Sequence, residues 1–274
     1  MTRKIVPILE GIAHKRYCEP FGGGASILLA KRPVAVETYN DLDNGLYHFF
    51  MVLANPRQFA RFYRRVQALP YSRQLFNDCR ESWAETDDPV ERAARWFVVA
   101  RMSFSGRFDS GWSMVATASS RGRAATASKW MRILETLPEI HARLQRVQIE
   151  NSDFRTIFEI YDTPSTLFYC DPPYVHSTRA AGEYAHEMKD ADHEALIDIL
   201  LRLRGKVALS GYPHEMYTRL EEHGWARQDY QTACYAAGRT RSSGIQGDGA
   251  ALRMQARTEC LWLSPHATVQ PKLF

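Results

Sequence analysis

The sequence predicts an α/β protein that binds its ligands at the carboxyl ends of sheet strands. Three observations predict it. The run Leu167-Phe168-Tyr169-Cys170 is apolar and aromatic, as a buried strand should be, and it stops abruptly at Asp171-Pro172-Pro173-Tyr174. The segment 16–19 reads as a short strand, runs into Pro20-Phe21-Gly22-Gly23-Gly24-Ala25-Ser26, and is followed by an apolar helix at 27–30. Strand, glycine turn and helix in that order is how α/β proteins bring a ligand close to backbone. Further strand-like segments at 34–38, 147–150 and 206–210 alternate with helix-like ones.

Size and composition bound the rest. The 274 residues suffice for one large domain or one domain with an insertion, and at 45% hydrophobic residues a real core can form. No run of about 18 apolar residues exists, so no membrane span is expected. Met1-Thr2-Arg3-Lys4, followed by a brief apolar stretch, does not read as a signal peptide. The five cysteines (18, 79, 170, 234 and 260) are scattered without a Cys-x-x-Cys pair. That argues against a zinc site and a disulfide framework, and places the chain in a reducing cytoplasm. The net charge of +4 does not by itself imply a polyanionic partner.

The elements follow in order. Residues 3–14 carry Ile5, Ile8, Leu9 and Ile12 on one helical face. The glycine turn at 22–24 is not G-x-G-x-x-G, so it is not read as a nicotinamide site. The second strand, 34–38, leads to Tyr39-Asn40-Asp41-Leu42-Asp43; an acid there is placed to grip ribose hydroxyls, and a helix cap is the plainer alternative. Residues 57–66 form a basic helix with Arg57, Arg61, Arg64 and Arg65 on nearly one face, which solvation alone would explain. Residues 92–132 hold eight Lys or Arg and one acid, Asp109, interleaved with Trp96, Phe97, Phe104, Phe108, Trp112 and Trp130. This stretch reads as helix 89–103, a loop or hairpin 104–127, and helix 128–146. Basic residues among aromatics suit phosphates and bases, and Arg107, Arg121, Arg123 and Lys129 are the candidates for nucleic-acid contact. Strand 147–150 ends at Asn151-Ser152-Asp153-Phe154, a third strand end with a carboxylate, where a helix cap is again the alternative. Residues 175–190 read as a loop, 192–204 as an amphipathic helix, and 225–235 and 258–263 as strands around a Gly/Arg/Ser loop at 238–249. His186 and His193 read as surface histidines rather than metal ligands.

At Asp171-Pro172-Pro173-Tyr174 neither proline donates an N–H, so the chain must leave the sheet in a stiff turn. The Asp171 carboxylate and the Pro172 carbonyl can both accept from an exocyclic amino group, and Tyr174 offers a face for stacking. Such a constellation suits a planar amino-heterocycle. A capped strand end with no ligand is the bland alternative.

Four pieces therefore stand in order: Glu19-Pro20-Phe21-Gly22-Gly23-Gly24, Asn40-Asp41, Asn151-Ser152-Asp153-Phe154 and Asp171-Pro172-Pro173-Tyr174. With the closing Arg257-Thr258-Glu259-Cys260-Leu261-Trp262, they resemble the Dam-like, or D12, class of DNA adenine N6-methyltransferases over nearly the whole chain. The resemblance implies a mostly parallel seven-stranded methyltransferase sheet with one antiparallel strand. It implies S-adenosyl-L-methionine as methyl donor, double-stranded DNA as partner, and no metal. A largely helical target-recognition domain at 56–145 would be inserted between catalytic parts at 1–55 and 146–274. By position, the turn from Phe21 to Gly24 should pack against the methionine part of the donor, Asp41 should hold its ribose hydroxyls, and Asp153 and Phe154 its adenine, with Glu19, Pro20, Ser26 and Asn40 also expected to contact the donor. Asp171 would border donor and target, and Asp171 to Tyr174 would hold a flipped-out adenine. The family carries Gly-Gly-Lys near its N-terminus; this chain has only Lys4 in that role. Methyl transfer to cytosine N4 or to RNA adenine would use the same strand-end motif, and an inactive nucleic-acid-binding relative would keep the fold. The whole-chain resemblance favours DNA adenine.

Overall fold

The computed structural model describes residues 1–104, 108, 110–178, 187–234 and 255–269, with backbone alone at 232–234 and 255–257. Arg107, His186 and the loop 238–249 lie outside the described residues, as does half of the loop expected at 175–190. Among the described residues the strands are β1 (Arg16–Glu19), β2 (Val36–Asn40), β3 (Ser119–Ser120), β4 (Arg123–Ala124), β5 (Val147–Glu150), β6 (Thr166–Cys170), β7 (Lys206–Gly211), β8 (Ala226–Cys234) and β9 (Gln255–Leu263). The helices are α1 (Thr2–Gly11), α2 (Ser26–Ala30), α3 (Asn44–Ala54), α4 (Pro56–Gln67), α5 (Arg73–Ser82), α6 (Pro89–Met102), α7 (Ala125–Leu144), α8 (Phe154–Tyr161), α9 (Asp190–Leu200) and α10 (Thr218–Glu222). Two compact units emerge. One comprises Met1–Tyr47, Arg146–Thr232 and Thr258–Phe274; the other comprises His48–Gln145 and Ala233–Arg257.

The first unit is built on seven strands in the order β5-β2-β1-β6-β7-β9-β8. From β5 to β7 every pairing is parallel, and β9 runs antiparallel to β7. The chain order reverses between β1 and β6, and open α/β sheets leave a crevice at the carboxyl ends there. Alternation along the strands explains the core. On one face Cys18, Phe168, Cys170, Val207, Leu209 and Trp262 pack with Phe154, Ile157 and Phe158 of α8 and Leu196, Ile197 and Leu200 of α9. Truncating a buried aromatic such as Phe168 to Ala should cost ~3–5 kcal/mol. The opposite face carries a polar row instead: Tyr17 donates to Glu19 at 2.7 Å, and the hydroxyls of Tyr169 and Ser210 lie 2.9 Å apart.

The second unit is helical. Asn55, Ser72 and Asp88 cap α4, α5 and α6 through their side chains, with Pro56 and Pro89 opening α4 and α6. Phe49, Phe62, Phe97 and Trp130 form its aromatic centre. The basic face of α4 is partly engaged within the unit: Arg61 pairs with Asp88 at 2.7 Å and Arg65 with Glu91 at 3.0 Å. Within 104–127 the chain forms the hairpin β3–β4. Its turn residues Arg121 and Gly122 have φ of 53° and 72°, the two left-handed positions of a tight two-residue hairpin.

Several boundaries move. The second strand begins two residues later than the sequence reading, because the Val34 N–H turns onto the Glu37 carboxylate at 3.2 Å. The helix expected at 192–204 spans Asp190–Leu200. Asp162 takes the N–H groups of Arg204 and Gly205 at 3.1 and 2.8 Å and draws the chain out towards β7. His193 is not a surface residue. It is fully buried, with Nδ1 3.0 Å from the Tyr217 hydroxyl, because its position on α9 faces the sheet.

Candidate active site

The loops that leave β1, β2, β5 and β6 at their carboxyl ends line a cavity of about 380 Å³ in the first unit. Two side chains set their shape. Asn40, at the last position of β2, donates to the carbonyls of Pro20 and Ser152 at 2.8 and 2.9 Å and accepts from the Ser152 N–H at 2.8 Å. It thereby ties three loops together. The Asp41 carboxylate accepts from the Gly23 N–H and the Asp43 N–H, each at 2.8 Å, and so holds the glycine turn against the second strand.

The three glycines of the turn serve different ends. A Cβ on Gly22 would lie 2.2 Å from the Tyr39 ring, so this glycine is required by packing. A Cβ on Gly23 or Gly24 would meet nothing within 4 Å, and Gly23 has φ +48°. These two leave bare backbone facing open space. Ala25 also takes a left-handed conformation, φ 53°, at the N-cap of α2.

At β5 and β6 the acids differ in environment. Asp153 caps α8 through the Arg155 N–H at 2.8 Å and pairs with the Arg155 guanidinium at 3.0 Å. That guanidinium lies 4.4 Å from the centre of the Phe154 ring and reaches Asp192 at 2.8 Å. The Phe154 ring in turn meets Phe21 at 5.3 Å. Asp171 is open to solvent on its cavity side but enclosed by protein elsewhere, and this desolvation raises its carboxyl to about 6. Hydroxyl hydrogen bonds from Tyr174 and Tyr169 oppose the rise, and the Glu259 charge adds to it. Glu19 lies deeper, 2% exposed; burial pushes its carboxyl up to about 8, against the hydrogen bond from Tyr17.

The cavity brings together Pro20, Phe21, Gly22, Gly23, Gly24, Ser26, Asn40, Asp41, Asp153, Phe154, Asp171, Pro173 and Tyr174 from the sequence reading. Lys4, Glu19 and Pro172 are not among its lining residues. The Lys4 ammonium sits 5.2 Å from the centre of the Tyr230 ring, and Pro172 is buried. Leu42, Leu46, Arg155, Glu187, Met188 and Asp192 line the cavity without having been singled out. No motif marks them; Leu46 comes from a helix and the last three from a loop and the start of α9. Arg121, Arg123 and Lys129 are exposed on or beside the β3–β4 hairpin.

Charge narrows what the cavity can hold. Among the described residues, Asp41, Asp43, Asp153, Asp171, Glu187 and Asp192 line it against one guanidinium, Arg155. Such a site disfavours a phosphate-bearing cofactor and favours a cationic one. Among the described residues no group of three or more His, Cys, Asp or Glu could hold a metal, and no helix is long and apolar enough to cross a membrane.

A parallel sheet closed by one antiparallel strand, with a cavity at its switch point and an acid-aromatic strand end inside it, is an α/β methyltransferase-like fold. The family model described as D12 class N6 adenine-specific DNA methyltransferase matches residues 1–228. The chain belongs to this family, whose members methylate adenine N6 in DNA. Comparison with curated proteins finds no match. Among solved structures, a presumed RNA methyltransferase of Pyrococcus horikoshii aligns over 96% of this chain and 80% of its own, at 8% identity and a TM-score of 0.38.

Proposed function

We propose that the cavity binds S-adenosyl-L-methionine and that Asp171, Pro172, Pro173 and Tyr174 receive the target adenine. The observation that carries the reading is that the open Gly23-Gly24 backbone, the Asp41 carboxylate and the Asp171-Tyr174 pair line one cavity. The residues fit that cofactor. The Asp41 carboxylate lines the cavity, and a carboxylate there suits ribose hydroxyls. Asp153 and the Phe21-Phe154 pair suit an adenine ring and its amino group. The carboxylate-rich lining suits a sulfonium. When bound, the cofactor supplies a methyl group already activated for transfer.

The protein supplies acceptors and position. The adenine amino lone pair is delocalised into the ring and is a poor nucleophile. Asp171 and the Pro172 carbonyl accept its two N–H bonds and localise that lone pair. The Asp171 carboxylate also offsets the positive charge that develops on nitrogen. At about 6, its carboxyl is ionised at pH 7.5 yet more basic than an ordinary aspartate, which suits a proton acceptor working near neutrality. Tyr174 stacks on the base. A paired base cannot reach this depth, so the target is flipped out of the duplex.

The insertion at 56–145 is read as the target-recognition domain. Its hairpin presents Arg121 from a two-residue turn and Arg123 from the start of β4, with Lys129 on α7, and most such contacts go to phosphates. The test is methyl transfer from labelled S-adenosylmethionine to duplex DNA, followed by nucleoside analysis and mapping of methylated positions. N6-methyladenine in DNA is expected. N4-methylcytosine, methylation of RNA alone, or no transfer at all would refute the reading.

A further inference from the structure

We propose that Tyr212 and Glu259, where β7 borders β9, are positioning residues of the target subsite: Tyr212 fixes the plane of Tyr174, and Glu259 sets the charge against which Asp171 works. The inference rests on the reading that Asp171 and Tyr174 hold the target amine.

Strand register brings the two residues together. β7 and β9 pair antiparallel with Ser210 opposite Leu261 and Gly211 opposite Cys260. One step further along that register sets Tyr212 opposite Glu259. Strand alternation places both on the face that carries Ser210. The parallel β6–β7 pairing, with Cys170 level with Leu209, puts Asp171 level with Ser210 on the same face. The polar row on this side of the sheet thus ends at Asp171, Tyr212 and Glu259. The Tyr174 and Tyr212 rings meet at 4.5 Å between centroids and 72° between planes. A close, steeply inclined ring pair holds a definite orientation, so Tyr212 limits how Tyr174 can tilt when a base arrives. Tyr212 follows β7 directly and is itself held by the strand, which makes it a rigid support.

Glu259 acts through charge. The charged and hydroxyl groups around Asp171 come from several elements: the Tyr169 hydroxyl from β6, the Tyr174 hydroxyl from the following turn, Glu19 from β1, the Met1 amino group ahead of α1, and Glu259 from β9; the Cys170 thiol is next in sequence but on the other face. The two hydroxyls and the amino group favour the ionised form of Asp171, whereas the Glu259 carboxylate opposes it. Glu259 therefore keeps Asp171 a stronger proton acceptor than its two phenolic donors alone would leave it. Glu259 thereby gains a role in the chemistry.

The experiment compares wild type, Tyr212→Ala, Tyr212→Phe, Glu259→Gln and Asp171→Asn as full-length proteins. Single-turnover methyl transfer is measured from pH 5 to 8.5 at saturating S-adenosylmethionine and duplex DNA. 2-Aminopurine at the mapped target position reports stacking. Melting temperature and cofactor affinity show that each variant is folded; Tyr212→Leu replaces Tyr212→Ala if the latter is not. Glu259→Gln should move the acid limb of the profile down by about half a pH unit, about threefold in the ratio of rates at pH 5 and pH 8. Tyr212→Ala should slow transfer about two- to tenfold and change the 2-aminopurine signal, with Tyr212→Phe restoring both. An unmoved acid limb in Glu259→Gln, or wild-type rate and fluorescence in Tyr212→Ala, overturns the inference while an inactive Asp171→Asn leaves the reading of the site standing. An active Asp171→Asn overturns both.

Discussion

Asp171→Asn should abolish methyl transfer and yet stabilise the fold at neutral pH. Burial raises this carboxyl from 3.8 to about 6, whereas aspartates of the unfolded chain titrate near 3.9. The folded protein therefore holds the proton more tightly than the unfolded chain does. Ionising Asp171 costs stability as pH rises through the window from about 4 to about 6, and the cost persists above it. Asn carries no charge and removes that cost. The melting temperature of the variant should exceed that of wild type at pH 7.5, and the two should converge near pH 4. The gain is modest, because the carboxylate reaches solvent on its cavity side. Activity runs the other way. With a carboxyl at about 6, about 9% of molecules have Asp171 ionised at pH 5 and about 91% at pH 7, so the wild-type rate should rise about tenfold between them and then level off. The assay pairs single-turnover methyl transfer with thermal melting over the same pH series, and calorimetry of S-adenosylmethionine binding. Cofactor affinity should survive the substitution, because Asp171 is assigned to the amine. A wild-type rate flat from pH 5 to 7, or a variant that loses cofactor affinity as badly as activity, would refute the reasoning.

The remaining predictions separate loop structure from ligand binding. Gly22→Ala should lower stability and activity together, since its Cβ would collide with Tyr39. Gly24→Ala should melt like wild type but bind S-adenosylmethionine more weakly; unchanged affinity would place the cofactor away from this turn. Asp41→Ala should weaken cofactor binding about tenfold or more, from the ~1.5–3 kcal/mol of a charged hydrogen bond, and should also loosen the turn by removing the acceptor of the Gly23 N–H. Equal affinities by calorimetry would sink that assignment. Replacing Arg121 or Arg123 by Ala should lower the slope of log affinity against log salt by about 0.9 for every phosphate the side chain neutralised. A double variant with wild-type slope would show that the hairpin does not touch the DNA backbone.

Much of the first unit was legible in the sequence because its central strands β6 and β7 are buried on both faces and because β1 and β6 end at unmistakable breakers. The three glycines closed β1, the two prolines closed β6, and the alternation at 147–150 and the largely apolar run at 206–210 left little choice of period. The start of β2 was not legible, since Val34 belongs to a side-chain-closed turn that depends on Glu37 rather than on hydrophobicity. His193 was misread for a related reason. Its burial is set by which face of α9 meets the sheet and by Tyr217, which lies on another element. Motif residues of the cavity could be named from strand ends, but their second task could not. Asn40 looked like a ligand contact, and the structure shows both its amide nitrogen and its oxygen engaged in holding Pro20 and Ser152. Arg155, Glu187 and Asp192 escaped notice because they reach the cavity from a helix start and a loop without a pattern of their own.

The distribution of charge gives the site its selectivity. The chain as a whole carries +4, yet among the described residues the cavity is lined by six carboxylates and one guanidinium. On the proposed reading, a duplex is drawn by basic surface elsewhere, and its phosphates are repelled from the cavity mouth. A neutral base meets no such penalty, and a sulfonium is attracted. The same field therefore admits donor and target and excludes the backbone that carries the target. The raised Asp171 carboxyl has a different origin. Desolvation and the Glu259 charge both oppose its ionisation, and the phenols of Tyr169 and Tyr174 hold the value near 6 rather than higher. Adding a positive charge at the rim, as in Glu187→Lys, should weaken S-adenosylmethionine binding more than binding of the neutral thioether product. Equal losses for both would mean that shape, not charge, selects the donor.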